Sequence, residues 1–193
     1  IFGLNFEAWY KNGFWTDKYI PYSIAVNDQV VANASVNIMD FVYDNKLKPF
    51  IQIGTVMTKP DYRNRGLCKI LINEIISDWK DKCKCIYLFA NSTVNEFYPK
   101  FGFKRLYEYK CSLPVLNIKG DFKKLNTLSL TDVNIIKSCY KLSNPYSQFK
   151  FINNFGLLMF YCQAYFKDCV YYSNKNNAVC IAEISNDTII CHD

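Results

Sequence analysis

The chain has 193 residues, half of them hydrophobic, 17% aromatic and 21% charged. That length and apolar content can bury a full core in one large domain, or in one domain plus a smaller lobe, and they exclude a disordered, highly charged polymer. The formal net charge of +6 favours an anionic partner, and nucleic acid, acidic lipid headgroups and a phosphorylated cofactor all qualify.

The longest nearly uncharged apolar stretch, Phe155 to Phe166, falls well short of the roughly 20 residues that cross a bilayer, so no membrane partner is expected. No basic segment followed by an apolar run marks a secretory leader. The nine cysteines are odd in number, and most sit in apolar strings such as Val179-Cys180-Ile181, where Cys acts as a small hydrophobe. A cytoplasmic protein is expected. Cys83 and Cys85 suggest metal, but the only histidine is His192, which leaves no second ligand pair at zinc spacing and no metal expected.

In chain order, Tyr22 to Val26 and Val30 to Met39 flank the turn-forming Asn27-Asp28, and period-two alternation puts Val30, Ala32, Ala34, Val36 and Ile38 on one face of a β-hairpin. Phe50 to Thr58 reads as a strand in which Gly54 marks a bulge or a close approach, and Pro60 ends it. Leu67, Ile70, Leu71, Ile75 and Trp79 recur at helical spacing from Gly66 to about Lys82. Cys85 to Ala90, six residues without charge, reads as a strand buried on both faces, completing a parallel βαβ unit. A helix from Val94 to Phe101 stops at Gly102, and Phe103 to Ser112 returns as a strand. Pro114 to Gly120 reads as a boundary. In the lobe beyond it, Thr131 caps a helix over Asp132 to Leu142, a second helix covers Phe155 to Phe166, and strands follow at 169–172, 178–184 and 188–191.

The segment that carries chemistry is Val56-Met57-Thr58-Lys59-Pro60-Asp61-Tyr62-Arg63-Asn64-Arg65-Gly66-Leu67-Cys68-Lys69. A strand ends, a basic loop turns and a helix begins at a glycine, leaving backbone N–H groups unpaired and pointing at one place. The helix dipole and the charges of Lys59, Arg63, Arg65 and Lys69 suit a pyrophosphate there. Neither Gly-x-x-x-x-Gly-Lys-Ser/Thr nor Gly-x-Gly-x-x-Gly occurs, which argues against ATP hydrolysis and a dinucleotide fold.

With Arg63-x-x-Gly66-x-Cys68 after a strand and a Pro-x-Tyr turn, and Asn91-Ser-Thr-Val94-Asn-Glu-Phe-Tyr98-Pro-Lys100-Phe-Gly102-Phe103 further on, the sequence resembles the GNAT superfamily of N-acetyltransferases over about residues 1 to 112. Cys68 stands where the family has Gly or Ala, and Val94 where it has Ala. The family's first helix is missing or cut short by the start of the chain. The resemblance implies an α/β fold: a mixed, mostly antiparallel sheet with a central parallel βαβ unit and flanking helices, followed here by a smaller α/β lobe over 113–193. The lobe reads as a partial, degenerate repeat of the first domain, and the sequence as a fragment of a longer chain at both ends.

The same resemblance implies acetyl-CoA as cosubstrate, its pyrophosphate held by Arg63, Asn64, Arg65, Gly66, Leu67, Cys68 and Lys69. Pantetheine would lie between splayed parallel strands, pairing with Val56, Met57 and Thr58, and Tyr98 would protonate the departing thiolate. A phenol, with an unperturbed pKa near 10, keeps its proton at neutral pH. Asn91 either bonds the cofactor amide or caps a helix. The general base is not legible: Phe50 to Met57 carries no carboxylate, Gln52 could only position a water, and Asp40 and Glu96 remain as candidates. The acceptor, a small-molecule or peptide amine, would meet Phe14 to Tyr19, the hairpin strands and the later lobe. The extra lobe and Tyr98-x-x-Phe101-Gly102-Phe103 also resemble the larger GNAT proteins that append a second such lobe, the enhanced-intracellular-survival type among them.

Two other readings compete. An acyl-CoA sensor would keep the loop without a base. A nucleic-acid binder would use basic aromatic clusters such as Phe149-Lys150-Phe151, but the basic residues are dispersed and no helix-turn-helix or RNP pattern occurs. A homodimer is compatible with any of these.

Overall fold

Asn27 and Asp28 both take positive φ, 49° and 59°, as a two-residue turn requires when it joins strands of right-handed twist. In the computed structural model, which describes residues 5–114, 120–142, 147–185 and 188–193, a short helix α1 (Glu7–Lys11) precedes this hairpin of β1 (Tyr19–Val26) and β2 (Gln29–Tyr43). A second turn with positive φ at Asp44 and Asn45 leads into β3 (Lys46–Thr58). Then come α2 (Leu67–Trp79), β4 (Cys85–Tyr87), 3-10 turns at Ser92–Val94 and Tyr98–Phe101, β5 (Phe122–Lys124), α3 (Leu130–Leu142), β6 (Phe149–Ile152), α4 (Phe155–Ala164), β7 (Val170–Ser173), β8 (Ala178–Ile184) and β9 (Ile189–Cys191).

The chain forms two compact units that are not continuous in sequence. The first contains Thr16–Lys110 and Gln148–Asn153. Its sheet runs β1-β2-β3-β4, antiparallel except for the parallel β3–β4 pair, with β6 antiparallel to the far end of β2. This is the mixed sheet with a parallel βαβ unit that the sequence leads one to expect. One face buries Ala32, Ala34, Val36, Ile51 and Ile53 against Leu71 and Ile75 of α2. Period-two spacing on the strands and helical spacing on α2 meet there. Val30, beside the turn, is 45% exposed and does not join that face. At the other end of α2, Trp79 Nε1 donates to the Tyr22 hydroxyl (3.0 Å), which donates to Asp78 (2.8 Å). Burial, then the Asp78 bond, raises the Tyr22 phenol above its usual range.

Several expected elements are shorter or absent. α2 ends at Trp79 rather than Lys82. β4 stops at Tyr87 rather than Ala90 and is only half-buried, because it ends the sheet and has β3 as its sole neighbour among the described residues. The helix expected from Val94 breaks into two 3-10 turns, since Pro99 lacks an N–H and disfavours helical backbone at Tyr98; Gly102 does close the segment with a left-handed φ of 88°. Phe103 to Ser112 is not a strand. Leu106, Tyr107 and Tyr109 there are 85–88% exposed. The cluster Phe149-Lys150-Phe151 is part of strand β6, with both phenylalanines stacked on Phe41 at 4.5 and 4.9 Å. Four residues with a central lysine gave too short a pattern to reveal it.

The second unit contains residues 5–15 and the described residues of 111–147 and 154–193. Its sheet, β5-β7-β8-β9, is antiparallel throughout. Leu125, Ile136, Met159, Cys162, Val170 and Ile181 form its core, and burial pushes the Cys162 thiol up to about 12, the behaviour of a packing residue. Thr131 lies within α3 rather than capping it, because the helix begins at Leu130. The expected boundary segment, Pro114 to Gly120, lies largely outside the described residues. All nine cysteines are free, and no helix among the described residues is long and apolar enough to cross a membrane.

Ile51, fully buried between sheet and α2, sets the scale of the core. Ile51→Ala is expected to cost about 2–5 kcal/mol, read as a lower midpoint with unchanged slope in urea denaturation.

Candidate active site

The site grows from a defect in β3. Asn33 pairs with Met57 and Ser35 with Gly54, so Thr55 and Val56 together oppose Ala34 alone. This is a β-bulge, as Gly54 led one to expect. The strained residue, however, is Thr55, with φ of 47°, while Gly54 has ordinary space around it, Asn37 Nδ2 lying 3.5 Å from the position of an added Cβ. Asn33 Nδ2 donates to the Thr55 carbonyl (3.0 Å), and Thr55 Oγ1 lies 3.0 Å from the Tyr19 hydroxyl.

Beyond the bulge the pleat is reset. Ile51 and Ile53 face α2 before it, and Val56 and Thr58 face α2 after it: Val56 packs on that core, and Thr58 Oγ1 lies 3.0 Å from Cys68 Sγ on the first turn of the helix. The pairing of β3 with β4 covers only Phe50–Cys85, Ile51–Ile86 and Gln52–Tyr87. β3 runs on to Thr58, bonded on the β2 side alone among the described residues. Its other edge there carries backbone groups with no strand partner among the described residues.

The chain then turns. Lys59 N–H donates to the Val31 carbonyl (2.8 Å), Pro60–Tyr62 forms a 3-10 turn, Asn64 takes φ of 60°, and Gly66 takes φ of 76° at the N-cap of α2. No described side chain caps α2, and the first intrahelical bond from this end is Ile70 N–H to Gly66 O (3.1 Å). The N–H groups of Leu67, Cys68 and Lys69 therefore point out of the helix end, an anion-binding arrangement reinforced by the helix dipole. An added Cβ at Gly66 would meet nothing within 4 Å, so the glycine serves backbone conformation first. Arg63 and Arg65 shape the loop itself: Arg63 Nε donates to the Thr58 carbonyl (3.4 Å), and Arg65 donates to the Asp61 carbonyl (2.8 Å) with its guanidinium 5.0 Å from the Tyr62 ring. Both are exposed, as are Asn64 and Lys69.

Tyr98 is half-buried, edge-on to Phe97 and Phe103 at 5.2 and 6.0 Å. Burial first, and the nearby Cys68 thiol second, raise its phenol above the usual tyrosine range. Asn91 is exposed and its side chain makes no capping bond to the turn it precedes. Of the carboxylates, Asp40 is ion-paired with Lys18 and accepts a bond from Asn153 Nδ2 (3.3 Å), while Glu96 is exposed. No metal-ligand cluster occurs among the described residues. Asn33 escaped sequence reasoning, as did the link to Thr55 from Tyr19, which was expected only beside the acceptor, since nothing in their types signals a bulge.

The family profile described as an acetyltransferase (GNAT) domain matches residues 7–106, more than half of the chain. The chain belongs to the GNAT acetyltransferase family. It is thus an acyltransferase of a family that uses acetyl-CoA. No curated protein matches it in sequence. Among solved structures, this GNAT chain is similar to a conserved protein from Enterococcus faecalis V583 described as a probable N-acyltransferase: identity is 20%, TM-score 0.62, with 92% of this chain and 48% of that one covered. The match extends the likeness in fold through both units, and this chain spans about half the length of that relative. A predicted acetyltransferase from Clostridium acetobutylicum, solved with acetyl-CoA, is 20% identical over 57% of this chain and 77% of its own, with a TM-score of 0.48. Glucosamine-6-phosphate N-acetyltransferase from Arabidopsis thaliana is 17% identical over 56% and 73%, with a TM-score of 0.44.

Gly66→Ala isolates the backbone term at the helix entrance. With open space for the methyl group, the expected loss of stability is the left-handed cost alone, about 1–2 kcal/mol, measured by denaturant unfolding.

Proposed function

We propose that this GNAT protein transfers an acetyl group from acetyl-CoA to a primary amine, carried by a small molecule or a peptide, by direct attack on the thioester. The observation that carries this reading is the early end of the β3–β4 pairing, at Gln52 and Tyr87, while β3 runs on to Thr58 and into the uncapped entrance of α2. An unpaired strand edge leads straight to an anion site. The pantetheine arm, a chain of amides, would bond along Val56, Met57 and Thr58 as an added strand does, and the pyrophosphate would sit on the N–H groups of Leu67, Cys68 and Lys69. Arg63 and Arg65 brace the loop and, with Lys69, add positive charge.

The amine nitrogen donates its lone pair to the carbonyl carbon, a tetrahedral adduct forms, and the C–S bond then breaks. Tyr98 gives its proton to the leaving sulfur, and the ammonium nitrogen of the adduct releases one to solvent or a base, leaving the neutral amide. The raised Tyr98 pKa keeps that proton available across the neutral range. Asn91, free of a capping role, would bond a cofactor amide. Placing the thioester beside a held amine supplies most of the acceleration by proximity.

A second reading is a non-catalytic acyl-CoA sensor. It is favoured by the carboxylates alone, since Asp40 is tied to Lys18 and β3 has none. Release of CoA thiol on any amine decides against it.

Isothermal titration with acetyl-CoA, CoA and dephospho-CoA tests the cofactor site. Micromolar binding is expected, and Gly66→Glu, which strains the backbone and puts a carboxylate in the anion site, should abolish it. Wild-type affinity in that variant would move the phosphate elsewhere. Tyr98→Phe should lower kcat by about 100-fold or more with acetyl-CoA affinity nearly unchanged. The acid works only while protonated, so activity should fall as pH rises through its raised pKa, beyond the usual tyrosine range, and that alkaline limb should vanish in Tyr98→Phe. Unchanged turnover would remove Tyr98 from the role.

A further inference from the structure

Thr55 is β-branched and holds φ of 47°, a conformation that costs a non-glycine residue about 1–2 kcal/mol and persists only where neighbours impose it. The neighbour best placed to impose it is Asn33, on β2. Its carboxamide is saturated: Oδ1 accepts from Ser23 Oγ (2.8 Å), while Nδ2 donates to Ser35 Oγ (3.0 Å) and to the Thr55 carbonyl (3.0 Å). The Thr55 carbonyl fixes the orientation, because it can only accept and a flipped amide would set oxygen against oxygen there, whereas the serine hydroxyls can turn to suit either. The carboxamide thus aims one donor at the bulge.

We propose that Asn33 is a positioning residue for acyl-CoA, holding the Thr55 carbonyl so that β3 keeps its bulge and offers the free edge at Val56 to Thr58 to the pantetheine arm. The assignment rests on the cofactor reading given above. Asn33 touches Thr55 and not the cofactor; it acts through the backbone. Without its donor the Thr55 peptide is no longer held in one orientation, and the edge just beyond it loses its fixed presentation. The phosphate end, built on the α2 entrance, does not depend on it.

Two ligands separate these ends: acetyl-CoA, which needs both, and adenosine 3′,5′-bisphosphate, which lacks the pantetheine arm. Asn33→Ala should weaken acetyl-CoA binding by about tenfold, the size of a lost part-buried hydrogen bond, and leave adenosine 3′,5′-bisphosphate within about twofold of wild type. Asn33→Asp, nearly the same shape but unable to donate, should do the same, and it serves if the alanine variant folds poorly. Adding Thr55→Gly to Asn33→Ala should recover most of the acetyl-CoA affinity, because glycine adopts the left-handed φ unaided; a residue needed only for stability would show no such ligand-selective rescue. Unchanged acetyl-CoA affinity, or equal loss for both ligands, overturns the assignment to Asn33 alone. Wild-type protein that binds neither ligand overturns the cofactor reading and this assignment with it.

Discussion

One extra residue in β3 sets which side chains of the strand beyond it reach the helix core. Thr55 and Val56 share a single partner, Ala34, and the side-chain alternation of the strand shifts by one from that point. Ile51 and Ile53 use the regular phase to reach the α2 core. Val56 and Thr58 use the shifted phase to reach the same helix, which brings the Thr58 hydroxyl to the Cys68 thiol. A strand without the bulge would turn Thr55 and Met57 toward α2 instead. The bulge also bends the strand away from a straight ladder, and β4 parts from β3 just upstream, after Gln52.

The entrance of α2 lies next along the chain and is held by contacts of its own. The loop from Lys59 to Gly66 starts where β3 ends and is braced by backbone acceptors rather than by a hydrophobic plug: Arg63 on Thr58, Arg65 on Asp61, and Lys59 N–H on Val31. Positive φ at Asn64 and Gly66 then reverses the chain so that α2 begins with its N–H groups uncovered. Charge in this loop is partly structural, since the two arginines that a sequence reader assigns to phosphate already hold carbonyls. Cys68, in a place the family gives to a smaller residue, is accommodated by contact with Thr58, and it lies near enough to Tyr98 to add to the rise of its pKa.

Features with a local cause were legible in the sequence. Asn27-Asp28 marks a turn because few residue pairs tolerate two positive φ values, and Ala32, Ala34 and Val36 mark a face because strands alternate. The Arg63 to Lys69 run could be read because a basic turn and a glycine at a helix entrance are contiguous. What depends on distant partners was not legible. β6 is four residues long and exists because β2 offers it an edge. Phe103 to Ser112 alternates like a strand, yet no described neighbour pairs with it. Cys85 to Ala90 looked doubly buried because its lack of charge was visible and its edge position was not. In the candidate site, Thr55 gave no sign of its left-handed backbone, for the cause lies in Asn33 and Tyr19, 22 and 36 residues away.

The pairing of β6 with β2 also fixes an order of events during synthesis. Asp40 and its partner Asn153 are 113 residues apart, which at ~5–20 residues per second is roughly 6 to 23 s of translation. Once β3 has been made, and for the rest of that interval, the stretch of β2 from Asp40 to Tyr43 has β3 on one side and an open hydrogen-bonding edge on the other, with Phe41 lacking the two rings that later stack on it. An uncovered edge of this kind invites pairing with other chains. That edge therefore stays open from the completion of the first hairpins until Phe149 to Ile152 emerge, and covering it is one task of the late-made β6.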